Sequence, residues 1–203
     1  MSTLLILGAG GHGRVVADAA LRQGRWRNIS ATDRDPHRCS GNLLRGVPLL
    51  ALKEALLLEA NVHVAIGDAS ARQAELAMLA PARLATVIHP QASVSDHAHV
   101  GAGCFIGAQA VVGPGATLGT GVIVNHGAVV DHDVRVGDFC HIAPGVVLGG
   151  GVRLGTRVLV GAGASVLPGL PVCDDAIIGA GAVVHRPVTL AGVYVGLPAR
   201  RIE

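Results

Sequence analysis

Val130-Asp131-His132-Asp133 sets an imidazole between two carboxylates. A histidine ring titrates near neutrality, and an adjacent carboxylate can hold it in one tautomer and stabilise the imidazolium that forms when it takes a proton. His132 is therefore a candidate general base, with Asp133 or Asp131 as its orienting partner. A second constellation lies near the start of the chain. Gly8-x-Gly10-x-x-Gly13 follows the apolar run Leu4-Leu5-Ile6-Leu7, with Asp33 about 20 residues beyond the loop. Such glycines let backbone N–H groups approach a phosphate, and the start of the following helix favours its negative charge. The pattern meets the dinucleotide fingerprint, but a complete dinucleotide site uses two such halves and this chain has room for one. The expectation is a diphosphate site; the alternative is a tight strand-to-helix turn with no ligand.

The elements that must position these groups differ between the two ends of the chain. From Ile88 to Val184 every sixth residue is Ile, Leu or Val, through Val94, Val100, Ile106, Val112, Leu118 and onward without a break. A small residue usually follows four positions later, as at Ala92, Ala98, Cys104 and Ala110. A period of six fits neither a 3.6-residue helix nor a two-residue alternation. It fits a parallel β-helix in which each hexad is a short strand and a corner. Cys104 and Cys140 each fall four positions after an anchor, where the small residues lie. They read as small inward fillers.

Residues 1 to 85 carry strands alternating with helices, which predicts a small parallel α/β domain. Strands are expected over 4–7 and 29–33, a strand and turn over 62–68, and helices over 14–22 and 70–79. Residues 86–203 form the second domain. Half the residues are apolar, only 2% are aromatic, and there are 29 glycines, which suits a narrow, regular interior filled by Val, Ile, Leu and Ala. A formal charge of +2 and the scarcity of rings argue against nucleic-acid binding. No run approaches the roughly 20 apolar residues that span a bilayer, and the N-terminus lacks a basic signal region, so a cytoplasmic protein is expected. The four cysteines show no CxxC spacing.

The hexads together with the Gly-x-Gly-Gly-His-Gly loop and the closing Val195-Gly196-Leu197-Pro198-Ala199-Arg200 resemble the bacterial sugar acyltransferases related to PglD and NeuD, over essentially the whole chain. The resemblance implies a small Rossmann-like domain joined to a left-handed β-helix of about five coils, with three hexads per coil. It implies a homotrimer with active sites between subunits, acting in cell-surface polysaccharide biosynthesis. The reaction implied is transfer of an acetyl group from acetyl-CoA to the amino group of a UDP- or GDP-linked amino-dideoxy sugar. Sugar O-acetylation, a non-catalytic nucleotide-sugar scaffold and an NAD-linked oxidoreductase are the rivals.

Carried onto this chain, the resemblance makes His132 the base and Asp133 its partner, although the family example has Glu after the histidine. It places His141 near the thioester. Coenzyme A would run along the groove between neighbouring helices, where Gly150, Gly161 and Ala162 allow close approach. The nucleotide sugar would meet Gly10, Gly11 and His12, Asp33 and Arg34, and the Gly67-Asp68 turn, with Arg34 on a phosphate. Asn125 is structural or catalytic, and His126 is unassigned. Three histidines on zinc are a known use of such helices, but His126 and His132 fall on different sides of one prism, and no metal is expected.

Overall fold

The computed structural model describes residues 2–202. Strands β1 (Ser2–Leu7), β2 (Trp26–Thr32), β3 (Asn42–Leu44), β4 (Val47–Pro48) and β5 (Asn61–Val64) and helices α1 (Gly11–Gln23), α2 (Leu52–Leu56) and α3 (Ala69–Ala77) make up the N-terminal part. β2, β1 and β5 form a parallel sheet with β1 in the middle. Its pleat sends side chains alternately to two faces. Leu4 and Ile6 pack with Val16 and Ala20 of α1, while Leu5 and Leu7 pack with Ala55 of α2 and Leu76 of α3.

The boundaries differ slightly from those read off the sequence. α1 begins at Gly11, three residues before the expected Arg14, so His12 lies in its first turn. Gly13 makes this possible: a Cβ there would collide with the carbonyl of Gly8, so the helix starts directly on the loop. The β3–β4 hairpin carries no periodic signal in the sequence; it packs Leu43 and Val47 beneath α1.

From Val87 onward, seventeen strands, sixteen of two residues and one of three (Ala176–Ile178), stack in three parallel sheets, close to six turns. Each strand points its last residue inward, so the expected anchors Ile106, Val112, Leu118 and their successors form the core. Cys104 and Cys140 are buried there, each thiol donating to the carbonyl of Gly119 or Gly155. Burial pushes both thiols up to about 12, which keeps them inert. Face 1 of the prism carries the strand starting at Val87, face 2 that at Ser93 and face 3 that at His99.

The N-terminal domain sits on face 1. Outward residues Val87, Phe105 and Ile123 of successive turns join the cluster formed by Leu4, Ile6 and α1. Arg72 of α3 fastens the joint. Its side chain is fully buried, and it donates to the carbonyls of Ile66 and Gly67 on one side and of Gly121, Phe139 and Cys140 on the other. Burial lowers its pKa to about 10, so it remains a cation at neutral pH. A buried charge is tolerable only when its donors are satisfied, and here backbone carbonyls do so.

Candidate active site

Corners of the prism favour a left-handed residue three positions after each anchor. Glycine usually supplies it, as at Gly127, Gly145 and Gly151. Asp133 is an exception, with φ of +57°. From this corner its Oδ2 stands 2.9 Å from His132 Nδ1, and Asp131 Oδ1 accepts from the backbone N–H of His132 at 2.7 Å. The shorter aspartate therefore reaches the ring directly. Its hydrogen bond, followed by the charge of Asp131, raises the pKa of His132 above the usual imidazole value. The side chain of His132 is 60% exposed. Gly150, one turn further, supports the ring: a Cβ on it would overlap His132 Nε2.

The second part of the site is a cleft of about 420 Å³ in the N-terminal domain. Gly10, Gly11, His12, Asp33, Arg34 and Gly67 all line it, as does Arg38, which sequence reasoning missed. The start of α1 opens into the cleft with no acidic residue in its first turn, leaving the positive end of the helix dipole uncompensated. Asp33 lines the cleft but spends its carboxylate on the loop itself: Oδ2 accepts from Ala9 N–H at 2.7 Å and Oδ1 from Asp35 N–H at 3.0 Å. Arg34 lines the cleft with its guanidinium paired. It forms a two-pronged pair with Glu75 of α3, at 2.7 and 2.8 Å. Asp68 lies outside this cleft; its Oδ1 caps α3 by accepting from Ala71 N–H, and it lines a neighbouring pocket that His141 shares.

His141 projects from face 1, one turn beyond Ile123, with its ring 6.3 Å from that of His12. Both are held neutral. Burial, assisted by the charge of Arg72, lowers His141 to about 4. Burial, then the charges of His63 and His141, lowers His12 to about 3. His12 Nε2 has no hydrogen-bond partner among the described residues. Asn125 Oδ1 accepts from the backbone N–H of His126, and Nδ2 is 3.4 Å from His141 Nε2. His126 sits on the same edge, exposed. Among the described residues no group of three or more His, Cys, Asp or Glu is placed to hold a metal ion.

These parts are not all on one side of the chain. His132 and Gly150 lie on the edge between faces 2 and 3, opposite face 1, which carries His141 and the N-terminal cleft. Gly161 and Ala162 lie on the edge between faces 1 and 2. A single chain thus separates the candidate base from the cleft.

Comparison with known proteins agrees with this architecture. Residues 3–79 match the PglD N-terminal domain, residues 97–132 and 133–168 the bacterial transferase hexapeptide (six repeats), and residues 151–186 the hexapeptide repeat of succinyl-transferase. The acetyltransferase domain of PglB from Neisseria gonorrhoeae is 34% identical, with a TM-score of 0.90 over 100% of both chains. PerB from Caulobacter crescentus, solved in complex with CoA and GDP-perosamine, is 35% identical with a TM-score of 0.90, covering 100% of this chain and 98% of that one. A structure of the PglB domain holds acetyl coenzyme A; it is 35% identical over 99% of both chains, with a TM-score of 0.90. Among curated protein sequences none matches significantly. The chain belongs to the PglD/NeuD-like family of hexapeptide-repeat acyltransferases.

Proposed function

We propose that the chain transfers an acetyl group from acetyl-CoA to the amino group of a nucleotide-linked amino-dideoxy sugar, with His132 as the base. The observation that carries this reading is the His132–Asp133 contact at 2.9 Å on an exposed edge. With Nδ1 hydrogen-bonded to the carboxylate, Nε2 is free to accept a proton from the amine as its nitrogen attacks the thioester carbonyl. The carbon–nitrogen bond forms, the carbon–sulfur bond breaks, and coenzyme A leaves as its thiol. The 35% identity to PerB, an N-acetyltransferase of GDP-perosamine by description, favours an amino acceptor on a nucleotide sugar.

The nucleotide diphosphate fits the cleft at the start of α1, beside Gly10, Gly11 and Arg38. His12, neutral and with its Nε2 unpartnered, is available to a polar group of the sugar. His132 faces away from its own cleft, so a second copy must bring one to the other. The outward row on face 2 suits such packing: Val111 and Val147 are 37% and 43% exposed on stacked strands. A homotrimer with its sites between subunits is the assembly proposed to meet this requirement, with His141, Gly150, Gly161 and Ala162, which one chain keeps on separate sides, proposed to share its groove.

The test is acetyl-CoA-dependent thiol release with a panel of UDP- and GDP-linked amino and hydroxy sugars. Release with amino sugars alone supports the proposal. Release with hydroxy sugars alone would make the chain an O-acetyltransferase, and no release with any acceptor would leave a binding scaffold.

A further inference from the structure

The sheet of the N-terminal domain leaves part of one edge open. β2 lies at that edge, with β1 on its inner side. Thr32 O accepts from Gly8 N–H, so Thr32, Ser30 and Asn28 turn their backbone groups toward β1, and Ala31, Ile29 and Arg27 turn theirs outward. Ala31 finds a partner there: it bridges to Leu49, and its carbonyl accepts from Leu50 N–H at 2.8 Å. The next bond of that ladder, to the carbonyl of Ile29, would have to come from Pro48, which has no N–H. Pairing stops at this point. Neither Ile29 nor Arg27 is paired on its outer side among the described residues. A groove of about 330 Å³ follows the open stretch, lined by Leu21 of α1, Trp26, Gly46 and Pro48. Ser30, only 7% exposed, lines it too, and its Oγ is buried without a hydrogen-bond partner among the described residues. The surroundings are basic. Arg27 lines the groove, Arg45 precedes Gly46, and the guanidinium of Arg25 stands 4.3 Å over the Trp26 ring. All three are exposed, and none forms an ion pair among the described residues. No carboxylate lines the groove.

We infer that this edge takes up an extended, acidic segment of another protein, which adds to β2 as a further strand. The unpaired N–H and C=O groups of Arg27 and Ile29 supply main-chain hydrogen bonds to such a segment, and Leu21 and Trp26 supply apolar surface to its alternate side chains. A buried hydroxyl without a partner is unfavourable, so Ser30 Oγ also gains from a polar chain laid beside it. Charge decides the partner. A second copy pairing through the same edge would bring Arg25 and Arg27 of one chain against those of the other, and like charges across a strand pair repel. A neutral segment would leave three guanidinium groups uncompensated, whereas carboxylates meet them with charge-assisted hydrogen bonds. The arginines thus guard the edge against self-association and select an acidic strand. The groove follows the first half of β2, while the nucleotide cleft opens beyond its end at Asp33, so the two are occupied separately.

The experiment is amide hydrogen exchange of the full chain, with and without two capped peptides at millimolar concentration, one alternating Glu with Val and one alternating Lys with Val over six residues. The R27A/R45A variant is measured alongside, after equal melting temperatures have shown that it is folded. The expected result is exchange slowed roughly fivefold across residues 26–30 by the Glu peptide, no slowing by the Lys peptide, and loss of most of the protection in the variant. No protection by the Glu peptide would overturn the inference. So would equal protection by both peptides, or protection that the variant retains. Protection that grows with protein concentration in the absence of peptide would give the edge to a second copy and overturn it as well. Because exchange is read without acetyl-CoA or a sugar, failure of the proposed reaction leaves this result standing.

Discussion

Asp133 makes its 2.9 Å contact with His132 from a corner whose φ of +57° most residues avoid. Glycine takes that corner in most turns, so this one carries strain where a side chain has work to do at the imidazole. Replacing Asp133 by Gly or by Ala removes the same contact, but only Gly relieves the backbone. D133G is expected to be more stable than D133A by about 1 kcal/mol, a melting difference of roughly 2–4 °C. Both should lose turnover on the order of tenfold. Equal melting points would contradict the strain, and full activity would contradict the orienting role.

Gly150 is expected to tolerate no side chain. A methyl there overlaps the His132 ring and must push it aside. G150A should lower kcat by tenfold or more with little change in the KM for the nucleotide sugar, since displacing a base by about 1 Å affects the reaction rather than binding at the distant cleft. Steady-state kinetics with both substrates varied decides it.

The regular part of the molecule was legible from its residues, because seventeen in-register anchors leave one way to bury them. The Gly8–Gly13 loop was legible as well, since its spacing is set by local backbone contacts. The pairing of Arg34 with Glu75, 41 residues away, is a tertiary contact with no local trace in the sequence. Arg72 went unnoticed for the same reason. One arginine on a short helix reads as a surface charge, and only the docked prism buries it. Nor could spacing alone show that the base and the cleft lie on opposite sides of one chain, because that follows from which face the N-terminal domain covers.

The pH dependence of turnover should carry the mark of Asp131 and Asp133. They raise the pKa of His132, so the unprotonated base appears only above the ordinary imidazole range of about 6.5. The acid limb of kcat/KM is expected above that value. D131N should move it to lower pH, because one of the charges favouring the imidazolium is gone. An unmoved limb would assign it to another group.

Acid should loosen the joint between the domains. His12, His63 and His141 have folded-state pKa values lowered to about 3, 4 and 4, chiefly by burial. Between about pH 6.5 and these values the unfolded chain binds more protons than the folded one, so stability falls as the pH is lowered through that window. Urea unfolding at pH 7, 6, 5 and 4 should show a steady loss. H63F, which removes one such proton site while keeping an apolar ring beside Phe105, should flatten the curve. A parent curve unchanged down to pH 4 would contradict the buried neutral histidines.

The central claim is that His132 takes the proton from the attacking amine, and the H132A variant tests it most directly. Turnover of acetyl-CoA and a nucleotide-linked amino sugar should fall by roughly 10²–10⁴-fold, with the dissociation constant of the sugar nucleotide unchanged. Turnover within a few-fold of the parent protein would contradict the account.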